Sequence, residues 1–374
     1  MNVLVTGGAG FIGAHLVRKL LSEGCSVSVL DNFSSQIHND SHAASDLAAD
    51  VNLFTGDVRD HELVGRALSD QDVVVHLAAE TGTGQSMYAV RQYQDVNIGG
   101  TSVLLDVLMN QSKLGVQKLL IASSRAVYGE GRYRCPNHGV LYPSERNLDQ
   151  LRASQFEPLC PVCKAICTPE ATGEDSPIHP LSFYGLTKSV QEQMTIMFAK
   201  TRGFDAYALR YQNVYGPGQS LSNPYTGILA IFSNVARANS EINIFEDGKE
   251  SRDFIFVEDA VEATWRCIKT EVHAIELLNV GTGQQTTVMQ VAHEIVRFFD
   301  SASRIKVTGA FRLGDIRHNF ADISKIHQTL GFVPKVSFRD GLNQFLSWAS
   351  SQDFFSSKYE SSLVELRERG LLHG

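Results

Sequence analysis

The chain has 374 residues with a formal net charge of −8, 43% hydrophobic and 20% charged residues. That composition suits a large buried core, roughly two domains' worth, and the acidic balance argues against nucleic acid as a partner. No apolar run approaches the ~18 residues of a membrane span, and Met1 runs straight into a strand-like segment, so the expectation is a cytoplasmic protein without a leader.

Val3-Leu4-Val5-Thr6 reads as a buried strand. Gly7-Gly8-Ala9-Gly10-Phe11-Ile12-Gly13 follows, and His15 to Leu21 then carries apolar residues at helical spacing. Strand, glycine turn and helix in this order are the setting of a dinucleotide site. Gly7 permits the tight turn, Gly10 lets backbone approach a pyrophosphate, and Gly13 lets the helix pack on the strand. The phosphates then meet the free N–H groups of the helix N-terminus. A second strand, Ser26 to Leu30, ends at Asp31, placed to bind a ribose 2′-hydroxyl. Asn32 rather than an arginine follows it. A carboxylate repels a 2′-phosphate, so NAD is expected rather than NADP.

Val51 to Phe54 reads as a third strand leading to Asp57-Val58, with Asp57 placed beside an adenine. Val73 to Ala79 is a fourth, whose small residues Ala78 and Ala79 after Leu77 leave room for a cofactor. The polar loop after it, with Thr81, Gln85 and Ser86, lies where ligands bind in open α/β sheets. Asp95 to Met109 has helical periodicity. Lys118 to Ala122 is a fifth strand running into Ser123-Ser124-Arg125-Ala126. Strands alternating with helices imply a doubly wound parallel sheet.

Residues 131–173 break the rhythm. Cys135-Pro-Asn-His138 and Cys160-Pro-Val-Cys163 are two ligand pairs with the spacing of a structural zinc site. Cys167 is a substitute ligand or a free thiol. An insertion with reduced thiols and no metal is the alternative. A catalytic zinc is disfavoured, because four protein ligands leave no open position.

Tyr184 and Lys188 are four apart on a helical pattern reaching about Lys200, so they share one face. The ammonium is expected to lower the phenol pKa from its ordinary ~10. Asp205 to Tyr211 is a sixth strand, followed by Asn213. Arg252 and Arg317 are candidates to clamp a diphosphate. An amphipathic helix is expected from Asp340 onward.

Together these motifs resemble the extended short-chain dehydrogenase/reductase superfamily, in its nucleotide-sugar epimerase and dehydratase branch. The resemblance runs through Thr6 to Gly13, Asp57-Val58, Leu77 to Ala79, Ser123-Ser124, Tyr184 to Lys188, Arg210 to Pro217 and Arg252 to Phe254. It implies a Rossmann domain over 1–130 and 174–212 and a smaller substrate domain mainly in 213–374 with some segments returning to the core; the Cys/His insertion over 131–173 lies outside the resemblance. It implies Ser124, Tyr184 and Lys188 as the catalytic trio, with Tyr184 and Lys188 also touching NAD. It places Thr81, Gln85, Ser86, Ser124, Arg125, Asn213, Arg252 and Arg317 around a nucleotide-diphosphate sugar. Dehydratases of this branch carry an Asp-Glu pair directly after the catalytic hydroxyl. Arg125 and Ala126 stand there instead, which disfavours water elimination. The Thr81 to Ser86 loop and the Ser-Arg-Ala-Val-Tyr run are most similar to enzymes of the dTDP-L-rhamnose 4-epimerase type, with the UDP-glucose 4-epimerase type nearby. The expectation is 4-epimerisation through transient C4 oxidation in a homodimer joined by the helices near 97–110 and 184–200. A net 4-keto-sugar reductase is the rival enzyme, and a non-catalytic NAD(H)-sensing scaffold the rival of another class.

Overall fold

The computed structural model describes residues 1–35, 49–111, 114–223, 227–352 and 359–374. Seven parallel strands form one sheet: β1 (Asn2–Thr6), β2 (Ser26–Asp31), β3 (Asn52–Thr55), β4 (Val73–His76), β5 (Lys118–Ser124), β6 (Asp205–Tyr211) and β7 (Ile275–Val280). Their spatial order is β7-β6-β5-β4-β1-β2-β3. The order reverses between β1 and β4, which opens the crevice where such sheets bind ligands.

Alternation along the strands builds the two helical layers. Val3, Val5, Val27, Val29, Val73 and Val75 face α1 (Phe11–Ser22) and a helix over Val257–Lys269. Leu4, Leu30, Val74 and Leu119 face the other way, toward helices His61–Ala67 and Gly100–Asn110 and toward Phe198 of the long helix Phe183–Arg202. A separate cluster around Tyr215, Phe254, Phe256, Phe345 and Leu346 forms the core of the C-terminal part.

Most sequence-read elements are present, with shifted edges. Asp95 to Met109 is not one helix. A π-helical stretch covers Gln94–Gly99 and the α-helix begins at Gly100. Two consecutive glycines weaken regular helix there. The buried Asn97 side chain also turns out of the ladder, bonding the Glu80 backbone and Thr187. β7 was not anticipated, although its apolar residues at 275, 277, 278 and 280 suit an edge strand.

The insertion has its own order. Strands Tyr133–Cys135, Gly139–Leu141 and Thr168–Pro169 pair antiparallel, and a short helix spans Leu148–Arg152. Among the described residues no helix is long and apolar enough to cross a membrane.

Candidate active site

The glycine turn is built from close approaches. Gly7 has φ +70°, and a Cβ there would sit 2.7 Å from the Ala78 nitrogen. A Cβ at Gly13 would meet the Gly7 carbonyl at 2.2 Å. Helix α1 therefore starts directly against the turn. Its N-cap, Gly10, offers no side-chain bond to the first-turn N–H groups, leaving them for an anion. Asp31 holds the turn from the tip of β2. Its carboxylate accepts from the Ala9 N–H at 3.0 Å and the Phe33 N–H at 2.9 Å.

A cavity of about 500 Å³ lies over the carboxyl ends of the strands. Every residue expected to bind the cofactor lines it: Gly7, Gly10, Phe11, Ile12, Gly13, Asp31, Asn32, Asp57, Val58, Leu77, Ala78, Ala79, Tyr184 and Lys188. Thr81 and Ser124 line it too. Sequence reasoning missed His15 and Arg18, three apart on α1, and the wall formed by Gly218, Gln219 and Ser220. It also missed Arg59, which forks onto the Asp57 carboxylate at 2.8 Å and holds that acid below its usual range.

Ser124 ends β5, where its Oγ accepts from the Ala126 N–H, and both Ser124 and Tyr184 line the cavity. Tyr184 enters from the first turn of its helix, whose N-cap Ser182 accepts from the Gly185 N–H. Tyr93 packs edge-on against the Tyr184 ring at 6.4 Å. One turn on, Lys188 Nζ donates to the Ala122 carbonyl at 2.9 Å and lies 5.9 Å from the Tyr184 ring centre. Burial lowers the Lys188 ammonium to about 7. The expected lowering of the Tyr184 pKa is not seen in the protein alone. Burial raises it, opposed by the neighbouring Ser124 hydroxyl and the Arg125 charge. A desolvated phenol resists ionising until a further positive charge stands beside it.

Glu192, one turn beyond Lys188, was also missed. It is buried in a two-pronged bond with Arg210, 2.8 Å on each side, and accepts from the Ser123 hydroxyl. This ties the helix to β5 and β6. The i, i+4 spacing from Lys188 was its only sequence signal.

The residues expected around a substrate divide. Thr81 and Ser124 face the main cavity. Arg125 Nε donates to Asn213 Oδ1 at 2.9 Å, and burial beside Arg252 lowers its guanidinium to about 9. Arg252 donates to the carbonyls of Ser251, Ile316 and Arg317. Gln85 accepts from the Tyr93 hydroxyl. Ser86 is fully buried, donating to the Thr83 carbonyl at 2.6 Å, so it shapes the loop rather than facing a ligand.

Arg317 corrects the sequence reading most sharply. Its side chain is completely buried and bonded to Glu157, Glu246 and Asp247 at 2.6–3.0 Å. Three carboxylates already occupy its donors, so it does not face a diphosphate. Arg312, five residues earlier, is the accessible cation. It is 36% exposed, pairs with Asp315, and lines a small cleft with Thr83, Gly84 and Ser182.

The four predicted metal ligands converge. The Sγ atoms of Cys135, Cys160 and Cys163 and the His138 ring nitrogen all lie within 4.8 Å of one another. Cys135 Sγ is 3.6 Å from Cys163 Sγ and from His138 Nδ1, which is 3.5 Å from Cys160 Sγ. Cys167 stays outside the set, with its thiol turned to the Ala165 carbonyl.

Comparison with known proteins identifies the family. Residues 3–146 match the NAD dependent epimerase/dehydratase family, and residues 167–345 match the family described as GDP-mannose 4,6 dehydratase. A dTDP-L-rhamnose 4-epimerase of Burkholderia thailandensis is 37% identical over 94% of this chain and 95% of its own. A UDP-glucose 4-epimerase of Mycolicibacterium smegmatis is 30% identical over 96% and 99%. Among solved structures, the UDP-glucose 4-epimerase of Thermotoga maritima with UDP-glucose superposes with a TM-score of 0.75 at 31% identity, covering 94% of this chain and 99% of that one. The Bacillus cereus UDP-glucuronic acid 4-epimerase, in complex with UDP-glucuronic acid and NAD, gives 0.76 at 25% identity with the same coverage.

Proposed function

Because the chain belongs to the NAD-dependent epimerase/dehydratase family, in the nucleotide-sugar epimerase branch of the extended short-chain dehydrogenase/reductases, we propose that it inverts C4 of a dTDP-6-deoxyhexose such as dTDP-L-rhamnose. The observation that carries this reading is the convergence of Ser124, Tyr184 and Lys188 on the glycine-turn cavity, with Arg125 and Ala126 where dehydratases carry acids. The 37% identical dTDP-L-rhamnose 4-epimerase supports the sugar.

The residues fit NAD. A Cβ at Gly10 meets nothing nearer than the Gly7 carbonyl at 3.3 Å, so that face is open to the cavity. Asp31 closes the ribose end with a carboxylate that would repel a 2′-phosphate. When bound, NAD supplies the hydride acceptor and, reduced, the donor. Tyr184 takes the proton from the C4 hydroxyl and later returns it, as a base within hydrogen-bond reach must. Lys188 steadies the phenolate electrostatically. Ser124 hydrogen-bonds the same oxygen as charge develops there. Arg312 and Arg252 hold the nucleotide diphosphate while the 4-keto sugar turns over.

Tyr184→Phe tests the assignment. Turnover of dTDP-L-rhamnose should fall by about 10²–10⁴-fold with NAD content unchanged. Near-normal turnover would end it. Conversion of UDP-hexoses in preference to the dTDP-sugar would move the substrate but keep the chemistry, and release of the cofactor in every cycle would mark a net reductase.

Structural zinc on Cys135, His138, Cys160 and Cys163 is part of the proposal. Tetrahedral zinc with Zn–S near 2.3 Å and Zn–N near 2.1 Å places its ligand atoms about 3.5–3.8 Å apart, and the 3.5–3.6 Å separations here fit. A cytoplasmic setting, which keeps such thiols reduced, goes with it. The homodimer is proposed across the Phe183–Arg202 helix, supported by its exposed Phe183, Leu186 and Met197 and by Met109 of the neighbouring helix. Sedimentation showing a monomer would remove that part.

A further inference from the structure

The insertion touches the substrate side of the molecule and not the cofactor side. None of its residues lines the main cavity. Its loop between the two ligand pairs instead packs on the segment Phe311–Arg317, which carries Arg312. Leu151 and Phe156 share an apolar cluster with Phe311 and Leu313. Arg146 donates to the Asp315 carbonyl at 2.8 Å, and Glu157 takes the Arg317 guanidinium at 2.6 Å. The Arg252 fork rests on carbonyls of this same segment. Glu157 stands three residues before Cys160, so the ligand cluster fixes the end of the loop that supplies it.

We propose that metal bound at Cys135, His138, Cys160 and Cys163 acts as a positioning element for nucleoside-diphosphate binding, by holding Glu157 and the insertion loop against Phe311–Arg317. The inference rests on the reading of that segment as the diphosphate side of a nucleotide-sugar site. The metal takes no part in the chemistry. Its loss frees the Cys160–Cys163 turn, loosens Glu157 from Arg317, and lets the segment bearing Arg312 and supporting Arg252 move. The glycine-turn cavity is untouched.

The test uses full-length, tag-free protein with its cofactor. Cys163→Ser removes an exposed ligand, and Glu157→Gln leaves the ligand set whole. Four readouts are needed: zinc per chain by elemental analysis, NAD per chain, dTDP affinity by calorimetry, and hydrogen exchange over 311–317. Cys163→Ser should lose zinc, keep NAD, bind dTDP about tenfold more weakly and exchange faster over 311–317. Glu157→Gln should keep zinc and still weaken dTDP. Zinc-free protein that binds dTDP within about twofold of the loaded protein overturns the coupling, as does unchanged dTDP affinity in Glu157→Gln. Parent protein holding no more zinc than a Cys135→Ser/Cys163→Ser variant overturns the metal site itself. Failure of both dTDP and UDP to bind any form overturns the nucleotide-sugar reading beneath both.

Discussion

Two alanine substitutions, three residues apart in the glycine turn, should fail in opposite ways. At Gly13 a Cβ lands 2.2 Å from the Gly7 carbonyl, 2.7 Å from Gly8 Cα and 2.9 Å from the Gly8 carbonyl carbon. All three are backbone atoms, so no side chain can swing away and α1 itself must shift. Overpacking of this kind costs about 3 kcal/mol or more, lowering the melting temperature by about 5 °C or more. At Gly10 the nearest atom is 3.3 Å away, and φ −68° with ψ 175° suits any residue. Gly10→Ala should therefore melt within about 2 °C of the parent when both are free of NAD. Its methyl group stands where a pyrophosphate has to approach the backbone, so NAD content should collapse. Bound cofactor itself adds stability, so melting is compared on apo protein and NAD is quantified separately after denaturation. Full NAD content in Gly10→Ala, or a parent-like melting temperature in Gly13→Ala, would refute the reasoning.

The two arginines of the Phe311–Arg317 segment should separate fold from binding. Arg317→Ala leaves Glu157, Glu246 and Asp247 without their shared cation and should destabilise by about 3–5 kcal/mol in chemical denaturation, whereas Arg312→Ala removes a partly exposed cation that pairs with Asp315 and lies over the Phe245 ring and should weaken dTDP binding with a smaller loss of stability, about 1 kcal/mol. Equal loss of stability in both would contradict the placement of Arg317. Glu250 tests the same network by pH. Burial, helped by neighbouring Glu246, raises its carboxyl to about 7 from an ordinary 4.5. The folded state therefore holds this proton more tightly. The stabilisation is full below pH 4.5 and is lost as pH rises through 7. Glu250→Gln should match the parent's melting temperature at pH 4.5 and exceed it at pH 8. A difference that does not change with pH would count against the raised value.

Much of the site was legible because its signals are local. The glycine spacing, the acid ending β2 and the Tyr184–Lys188 interval each lie within one turn or one strand, and their residues line a single cavity. The cysteine pairs were legible for the same reason. Partners far apart in the chain were not. Arg312 and Arg317 look equivalent in sequence. Only the fold brings Glu157, 160 positions away, and Glu246 onto the second one. Ser86 looked like a ligand hydroxyl, but the loop turns it inward. Helical spacing reports the lysine beside Tyr184 and not the burial that raises the phenol in the protein alone. The helix expected from Asp95 gave way to a π-helical turn because the Asn97 side chain bonds a loop and a second helix.

The burial of Arg317 also limits how this chain can be re-engineered. A 43-residue insert at the surface resembles a removable cassette. Yet it donates Glu157 and Arg146 to an ion network whose other members, Glu130, Glu246, Asp247 and Arg317, lie outside it. Excision, or a swap with an unrelated linker, strips counter-charges from a group already sealed from water. A chimera therefore has to exchange insert and network together to remain whole.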